Sequence, residues 1–434
     1  MSHAVYVTSH CFSAPIPDDQ GRSPILSVLS LSEDGSTLEL VQSVNLPEGT
    51  LMPTAMTMDA SKTKLLTIAG KNGVVIYNVD PNDQGKIAGD EPICSAVTPE
   101  PFPTPYGVMP IHVTLDATGE NVYICNFLAN SMSALMCDLA SRRLSEPKVC
   151  PVPSKEIPEK VQKIGPSKAG QALGFPPGFP EDAAHPHSTA IDPSGKWLVM
   201  SDLGTNLMTV WSLPVGDKWA TGRAHFALEA HTAHDSNRHG GCGPRLCVFH
   251  PYGRAVFVVN ELDHTVSAYG FDPITGELNH VGASQMCISQ EWMDSVPPCG
   301  YIYNAQCNNN CGVAITPDGK HLYATSRGHD TVAGFTIADD YSLWPTSQRD
   351  VPTGGRTPWS VACASDTLVL VTNQYADDVE ARKGGGEGAD PERVYGQGSD
   401  PGSVVVFKRD PATGGIIPTG AKWEAPHVMA APPA

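Results

Sequence analysis

GPRLCVFHPYGRAVFVVNELDHTVSAYGF, at residues 243–271, holds one complete copy of the pattern that decides the fold. An apolar run at 246–249 meets a turn carrying Gly253, and a second apolar run at 255–259 ends on Asn260. The polar ELDH follows, and a third apolar run closes the copy at Phe271. β-Branched and aromatic residues crowd these short runs and turn formers bound them, so each reads as a strand. Gly in the hairpin slot supplies the positive φ that a tight turn demands.

The pattern recurs through the chain, as AMTMDASKTKLLTIAGKNGVVIYNV (55–79), HVTLDATGENVYICNFLANSMSALM (112–136), STAIDPSGKWLVMSDLGTNLMTVWSL (188–213) and VAITPDGKHLYATSRGHDTVAGFTI (313–337). A degenerate copy, SVACASDTLVLVTNQYADD (360–378), has its third strand delayed to SVVVFKRD (403–410). The turn slots fall on Lys62, Gly119, Gly195, Gly253, Gly319 and Asp366. Their mean separation of about 61 residues suits a four-stranded propeller blade with long loops.

The N-terminal unit lacks a first strand. AVYVTSH (4–10) matches second strands such as HLYATSR (321–327), and ILSVLSLSEDGSTLELV (25–41) matches the third and fourth. HVMA (427–430) is the segment that supplies the missing strand. The expected fold is therefore all-β: a seven-bladed β-propeller of four-stranded antiparallel blades, its ring closed by the N- and C-terminal strands. Length alone suggests two or three domains, but ring closure makes residues 1–434 a single domain and removes exposed sheet edges. Two stretches break the repeat and are expected as loop insertions, at about 151–184 and 379–401. The first runs directly into HPHS, so it reads as a surface loop or as a cover over a site.

Composition narrows the function classes. The formal net charge is −18, from 28 Lys plus Arg against 46 Asp plus Glu, and only 17% of residues are charged. Helical bundles and coiled coils are far richer in charge and poorer in Gly and Pro. An acidic chain is a poor partner for nucleic acid or an anionic membrane surface. No charged N-terminal segment precedes an apolar run, and no stretch approaches the length of a membrane span, so a cytoplasmic location is expected. The 12 Cys are scattered and several lie in strand-like runs, which suits free buried thiols. Zinc on Cys299, Cys307 and Cys311 would need spacings that match no usual ligand pair. The run with His231, His234, His239 and Cys242 reads as a polar loop between blades. HEXXH, GXSXG and Walker patterns are absent, so no metal and no cofactor is expected.

In a blade the first strand is innermost and the second runs antiparallel to it. The residue opening strand one and the residue leaving strand two therefore share a rim. In the fifth blade these are Arg245 and Glu261, with Asn260 beside them. In the fourth they are His185 and His187 with Asp202, and in the sixth the Asn308–Asn310 run with Arg327, followed by His329 and Asp330. Each has a plain reading as well. His187 reads as a strand cap, Arg245 and Arg327 as bridges to Asp202 or Glu261, and Asp202 and Asn260 as turn formers. Together, two cations, a carboxylate and an imidazole at one channel mouth point to a site.

HPHSTAIDPSGKWLVMSDLG (185–204), the 243–278 stretch, ITPDGKHLYATSRGHDTVAGF (315–335) and VVVFKRDPATGGI (404–416) carry a resemblance. At these motifs the chain resembles the seven-bladed-propeller lactonase family, which includes bacterial 6-phosphogluconolactonases and fungal carboxy-muconate lactonizing enzymes. The resemblance implies working residues at His187 (or its neighbour His185), Arg245 of GPR, Glu261 of NEL and Arg327 of SRG. It departs from the family at Leu246 and Ala314, where His is usual, and at Trp359, where Arg is usual. These changes imply a substrate less charged, and more apolar or aromatic, than a phosphorylated sugar lactone.

Two functions stay open. The first is a metal-independent lactonase, or a lactonizing cycloisomerase, acting on a small lactone or carboxylate at the channel mouth. Glu261 or His187 would be its base, and Arg245 and Arg327 its oxyanion and carboxylate clamp, with His185, Asp202, Asn260 and His329 binding substrate. The second is a non-catalytic propeller that binds a small molecule or protein through a decayed lactonase site. A redox or quinoprotein-like propeller ranks last, because no haem-attachment motif is present.

Overall fold

A computed structural model of the chain describes residues 2–9, 25–47, 53–69, 73–96, 109–129, 131–138, 143–145, 148–151, 184–213, 225–228, 242–295, 309–376, 401–426 and 428–430. Its strands form seven antiparallel sheets, as the repeat requires. The first strands are Met56–Met58, Pro110–Leu115, Pro186–Ile191, Pro244–Phe249, Asn309–Ile315 and Gly355–Cys363 in blades two to seven. Neighbouring first strands pack side by side around the axis. Blade one takes Val428–Ala430 as its first strand, paired antiparallel to Ser2–Ser9 through Thr8↔Ala430 and Ser9↔Val428. In blades three, five and six the outermost strand is split into two short segments, both paired to the third strand. The insertions expected at 151–184 and 379–401 fall, but for Pro151, Ala184 and Pro401, outside the described residues.

Every blade is buried on both faces, which explains why the strands read as nearly unbroken apolar runs. In the second strand of blade five, Ala255, Phe257 and Val259 join the core shared with blade six. Val256 and Val258 point the other way, into the core shared with blade four. Period-2 alternation thus sends successive side chains to two different inter-blade layers. The same layering repeats between blades six and seven, around Tyr323, Val371 and Phe407, and between blades seven and one, around Leu370, Val406, Val5 and Leu29.

Hairpin turns also tie blades together. Gly319 takes φ +70°, and a Cβ there would fall 2.7 Å from the His250 ring. That ring reaches across from blade five to bond the Gly319 carbonyl at 3.0 Å. Lys62 fills the same turn slot in blade two at φ +57°, a conformation costing a non-Gly residue roughly 1–2 kcal/mol. Cys125, Cys242, Cys247, Cys287, Cys311 and Cys363 are buried free thiols. Cys299, Cys307, His231, His234 and His239 fall outside the described residues.

Candidate active site

A recurring irregularity in the first strands builds the site. In blade five Pro244 pairs with Asn260 and Leu246 with Val259, which leaves Arg245 as an extra residue in a β-bulge. The same slot holds Ile111 in blade three, His187 in blade four and Trp359 in blade seven. In blade six the bulge spans Cys311 and Gly312, and in blade one it falls on Met429. A bulge bends its strand and re-aims the extra side chain out of the sheet alternation. Arg245 and His187 therefore belong to the first strands themselves rather than to the loops before them. Gly312 is required for close approach, because a Cβ there would lie 2.8 Å from the Ser360 backbone. This contact seats the blade-six bulge against the blade-seven bulge that carries Trp359.

Arg245, Glu261 and Arg327 are in direct contact across two blades. Glu261 leaves the second strand of blade five, and its Oε2 accepts from Arg245 Nε at 2.8 Å. Its Oε1 accepts from Arg327 Nη2 at 2.5 Å, the guanidinium coming from the end of the second strand of blade six. Arg245 Nη1 also donates to the Cys311 carbonyl at 2.9 Å. All three side chains are about 95% buried. Trp359 completes the cluster from blade seven, with Arg245 Cζ 5.2 Å and Arg327 Cζ 5.1 Å from its ring centroid. Each such cation–π contact contributes about 0.5–2 kcal/mol. Two guanidiniums against one carboxylate leave a net charge of +1 in a buried, low-dielectric place, where it acts strongly on an anion.

His187 adjoins this charge. Burial, then the fields of Arg245, His112 and Arg327, hold its imidazole well below the ordinary range, so it is neutral at pH 7. Its buried Nδ1 has no hydrogen-bond partner among the described residues. His112, on the first strand of blade three, is pushed down to about 4 by burial and by Arg245. Its Nδ1 faces the Thr189 backbone N–H at 3.3 Å and the Thr114 hydroxyl at 3.4 Å.

The remaining sequence candidates take positions around this group. His185 is fully buried, stacked on Phe127 with centroids 4.7 Å apart, and its Nδ1 is 2.9 Å from the Phe127 carbonyl. Asp202 Oδ1 accepts backbone N–H bonds from His185, Gly204 and Thr205. Burial raises this carboxyl above its ordinary range despite those donors. Asn260 donates to the hydroxyls of Thr265 and Ser267. His329 lies in the turn after Arg327, with Nδ1 2.7 Å from the Thr331 hydroxyl and its ring edge-on to Trp292. Of the two neighbouring imidazoles, His187 occupies the bulge slot equivalent to Arg245.

Sequence reasoning singled out Trp359 only as a departure and missed His112. Both were legible once the blades are superposed. PIHV (110–113), PHST (186–189), PRLC (244–247) and PWSV (358–361) align Pro by Pro, so the residue after each Pro takes the bulge. Of the three departures, Trp359 alone fills that slot. Leu246 and Ala314 pack at the margins of inter-blade cores. Among the described residues, no three His, Cys, Asp or Glu side chains gather to hold a metal ion.

Comparison with known proteins gives a consistent picture. The family described as "Lactonase, 7-bladed beta-propeller" matches residues 18–383. A 6-phosphogluconolactonase of Bacillus subtilis is 24% identical over 366 residues, covering 83% of this chain and 81% of its own. One from Yersinia enterocolitica is 24% identical over 344 residues, 78% of each chain. Among solved structures, the periplasmic gluconolactonase of Pseudomonas aeruginosa superposes with a TM-score of 0.66 at 16% identity, covering 99% of this chain and 98% of its own. A Lactobacillus plantarum protein gives 0.64 at 19% identity, over 99% of both chains. No helix among the described residues is long and apolar enough to cross a membrane.

Proposed function

The chain belongs to the seven-bladed β-propeller lactonase family, and from that premise we propose that it hydrolyses a small lactone at the mouth of its central channel. The observation that carries the reading is the buried Arg245–Glu261–Arg327 bridge, with its net positive charge beside the neutral His187. Hydrolysis needs a base for water and donors for the developing oxyanion. His187 takes a proton from water as the hydroxide oxygen bonds to the lactone carbonyl carbon. The carbonyl electrons move onto oxygen, and the arginine pair stabilises that charge. The intermediate collapses by breaking the ring C–O bond, and the alkoxide released takes the proton back from His187.

Glu261 is better suited to positioning than to proton transfer, since both its oxygens already accept from guanidiniums. It aims the two arginines and limits their repulsion. His185, Asp202, Asn260 and His329 serve as the surrounding frame and rim in this reading. The site holds one uncompensated positive charge next to an indole. It therefore suits a neutral or monoanionic lactone with an apolar or unsaturated body better than a phosphorylated sugar. As a cycloisomerase instead, the same arginines would hold an unsaturated dicarboxylate while one carboxylate oxygen adds to a carbon of its C=C bond and protonated His187 delivers a proton to the other carbon. We also take residues 1–434 to act as one domain.

The test is a panel of neutral, carboxylated and phosphorylated lactones, with muconates added for the cycloisomerase reaction, followed by pH-stat. Arg245→Ala and Arg327→Ala should each lower kcat/KM by about 100-fold or more, in line with the removal of an oxyanion donor. A panel in which the wild-type protein turns over nothing, yet binds a lactone or carboxylate at this mouth, would make it a binding propeller.

A further inference from the structure

His112 belongs to no part of the bridge, yet it stands on the strand next to the one that carries His187. It lies on the first strand of blade three, one residue past the bulge at Ile111, and its register partner is Cys125. That strand packs against the first strand of blade four, which carries His187 in its own bulge. His112, His187 and Arg245 are close enough to act on one another electrostatically. Unlike the buried His187, Arg245, Glu261 and Arg327, His112 keeps part of its surface open.

The hydrogen bonding at Nδ1 decides its tautomer. A backbone N–H can only donate, and Thr189 N–H points at His112 Nδ1 from 3.3 Å. Nδ1 must therefore be the acceptor, and the ring proton resides on Nε2. The Thr114 hydroxyl, 3.4 Å away, is held by Thr189, whose hydroxyl and carbonyl lie 2.8 and 2.9 Å from it. The ring is thus fixed at one nitrogen and presents an N–H from the other. Depression of its basicity by burial and by Arg245 keeps it uncharged, so it adds a directional donor without adding a cation. An uncharged imidazole can polarise a carbonyl in this way.

We propose that His112 is a further catalytic residue of this site, whose Nε2–H donates to the lactone carbonyl oxygen as the oxyanion develops. This rests on the lactonase reading given above. No proton leaves His112; the hydrogen bond shortens as charge builds and relaxes when the ring C–O bond breaks. Proton transfer stays with His187, and the arginine pair supplies the charge.

Three substitutions separate a donor from a strut. His112→Gln places an amide N–H near the position of Nε2, His112→Asn keeps an acceptor near Nδ1 for Thr189, and His112→Leu keeps neither. With a lactone that the wild type hydrolyses, His112→Leu should lower kcat about 100-fold with KM within twofold, the loss typical of one oxyanion donor. His112→Gln should recover at least tenfold of that loss, while His112→Asn recovers thermal stability but not rate. Nitrogen-15 NMR of the wild-type imidazole at pH 7 should show the proton on Nε2. Recovery of rate by Asn and not by Gln, or unchanged kcat in His112→Leu while Arg245→Ala abolishes turnover, overturns the role of His112 and leaves the lactonase reading standing. If the wild-type protein hydrolyses no lactone, both fall together.

Discussion

Between Arg245 and Arg327, the Glu261 carboxylate offsets two buried cations at distances of 2.8 and 2.5 Å. Removing one partner of such a bridge leaves uncompensated charge in a place largely shielded from solvent, which typically costs about 3–5 kcal/mol. Glu261→Gln keeps the shape and deletes the charge, so it should destabilise the fold by about 3 kcal/mol in chemical denaturation. It should also lower kcat, because the arginines lose their common anchor. The neutral histidines add a pH dependence. His112 titrates near 4 when folded, against the ordinary 6.5 when unfolded. Above pH 6.5 neither state takes up the proton, and between about 6.5 and 4 the unfolded chain binds it while the folded one does not. Stability should therefore fall as the pH drops through that window, read as a declining melting temperature, and His112→Gln should soften the decline. Arg245, Glu261, Arg327 and His187 were all legible in the sequence, because GPR, NEL, SRG and HPH stand at repeated positions. The sequence left Asp202 or Glu261 open as the partner of the two arginines; that both bridge to Glu261, with Arg327 reaching it from the neighbouring blade, only the structure decided.

At the scale of the element, the bulge is the device that turns strand residues into site residues. Its neighbour in blade seven is strained. Thr357 adopts φ +55°, an unfavourable conformation for a β-branched residue, two positions before Trp359. Asp330, in the turn after Arg327, holds it there: its Oδ1 accepts from Thr357 N–H at 2.8 Å and from Gly328 N–H at 3.2 Å. The Asp330 carbonyl also accepts from the backbone and hydroxyl of Thr353. One aspartate thus links the turn that carries Arg327 to the strand that carries Trp359. Asp330→Ala should release Thr357 and loosen Trp359 over the arginines, lowering kcat about tenfold, whereas Asp330→Asn, which keeps Oδ1, should stay near wild type. Steady-state kinetics on both variants checks this. A sequence reader sees RGHD as a polar turn; that its aspartate serves a strand 27 residues later needs the blades to be neighbours in space.

For the whole molecule, the charge of −18 opposes the local charge of +1 at the Arg245–Glu261–Arg327 bridge. Fields from dispersed surface charges are screened by salt, while buried groups in contact are screened much less. For an anionic lactone kcat/KM should therefore rise as ionic strength increases from about 10 to 150 mM, a range over which the Debye length shrinks from about 30 to 8 Å. A neutral lactone of similar size should show no such rise. Stopped-flow or initial-rate measurements on the pair distinguish these outcomes.

The periodic apolar runs, the turn glycines and the unit with a missing first strand were enough to determine seven blades and their closure by residues 428–430. They are local signals, and each blade repeats the same local solution to burying two faces. What the tertiary structure alone decided is which of the repeated slots face one another. The bulges bring Arg245, Trp359 and His187 from three blades to one axis, and Glu261 and Arg327 meet there although 66 residues separate them. Trp359, which in the sequence marks a lost cation, there contacts both arginines. Ring geometry sets those neighbours, and no spacing along the chain encodes the direction in which a bulged side chain is aimed.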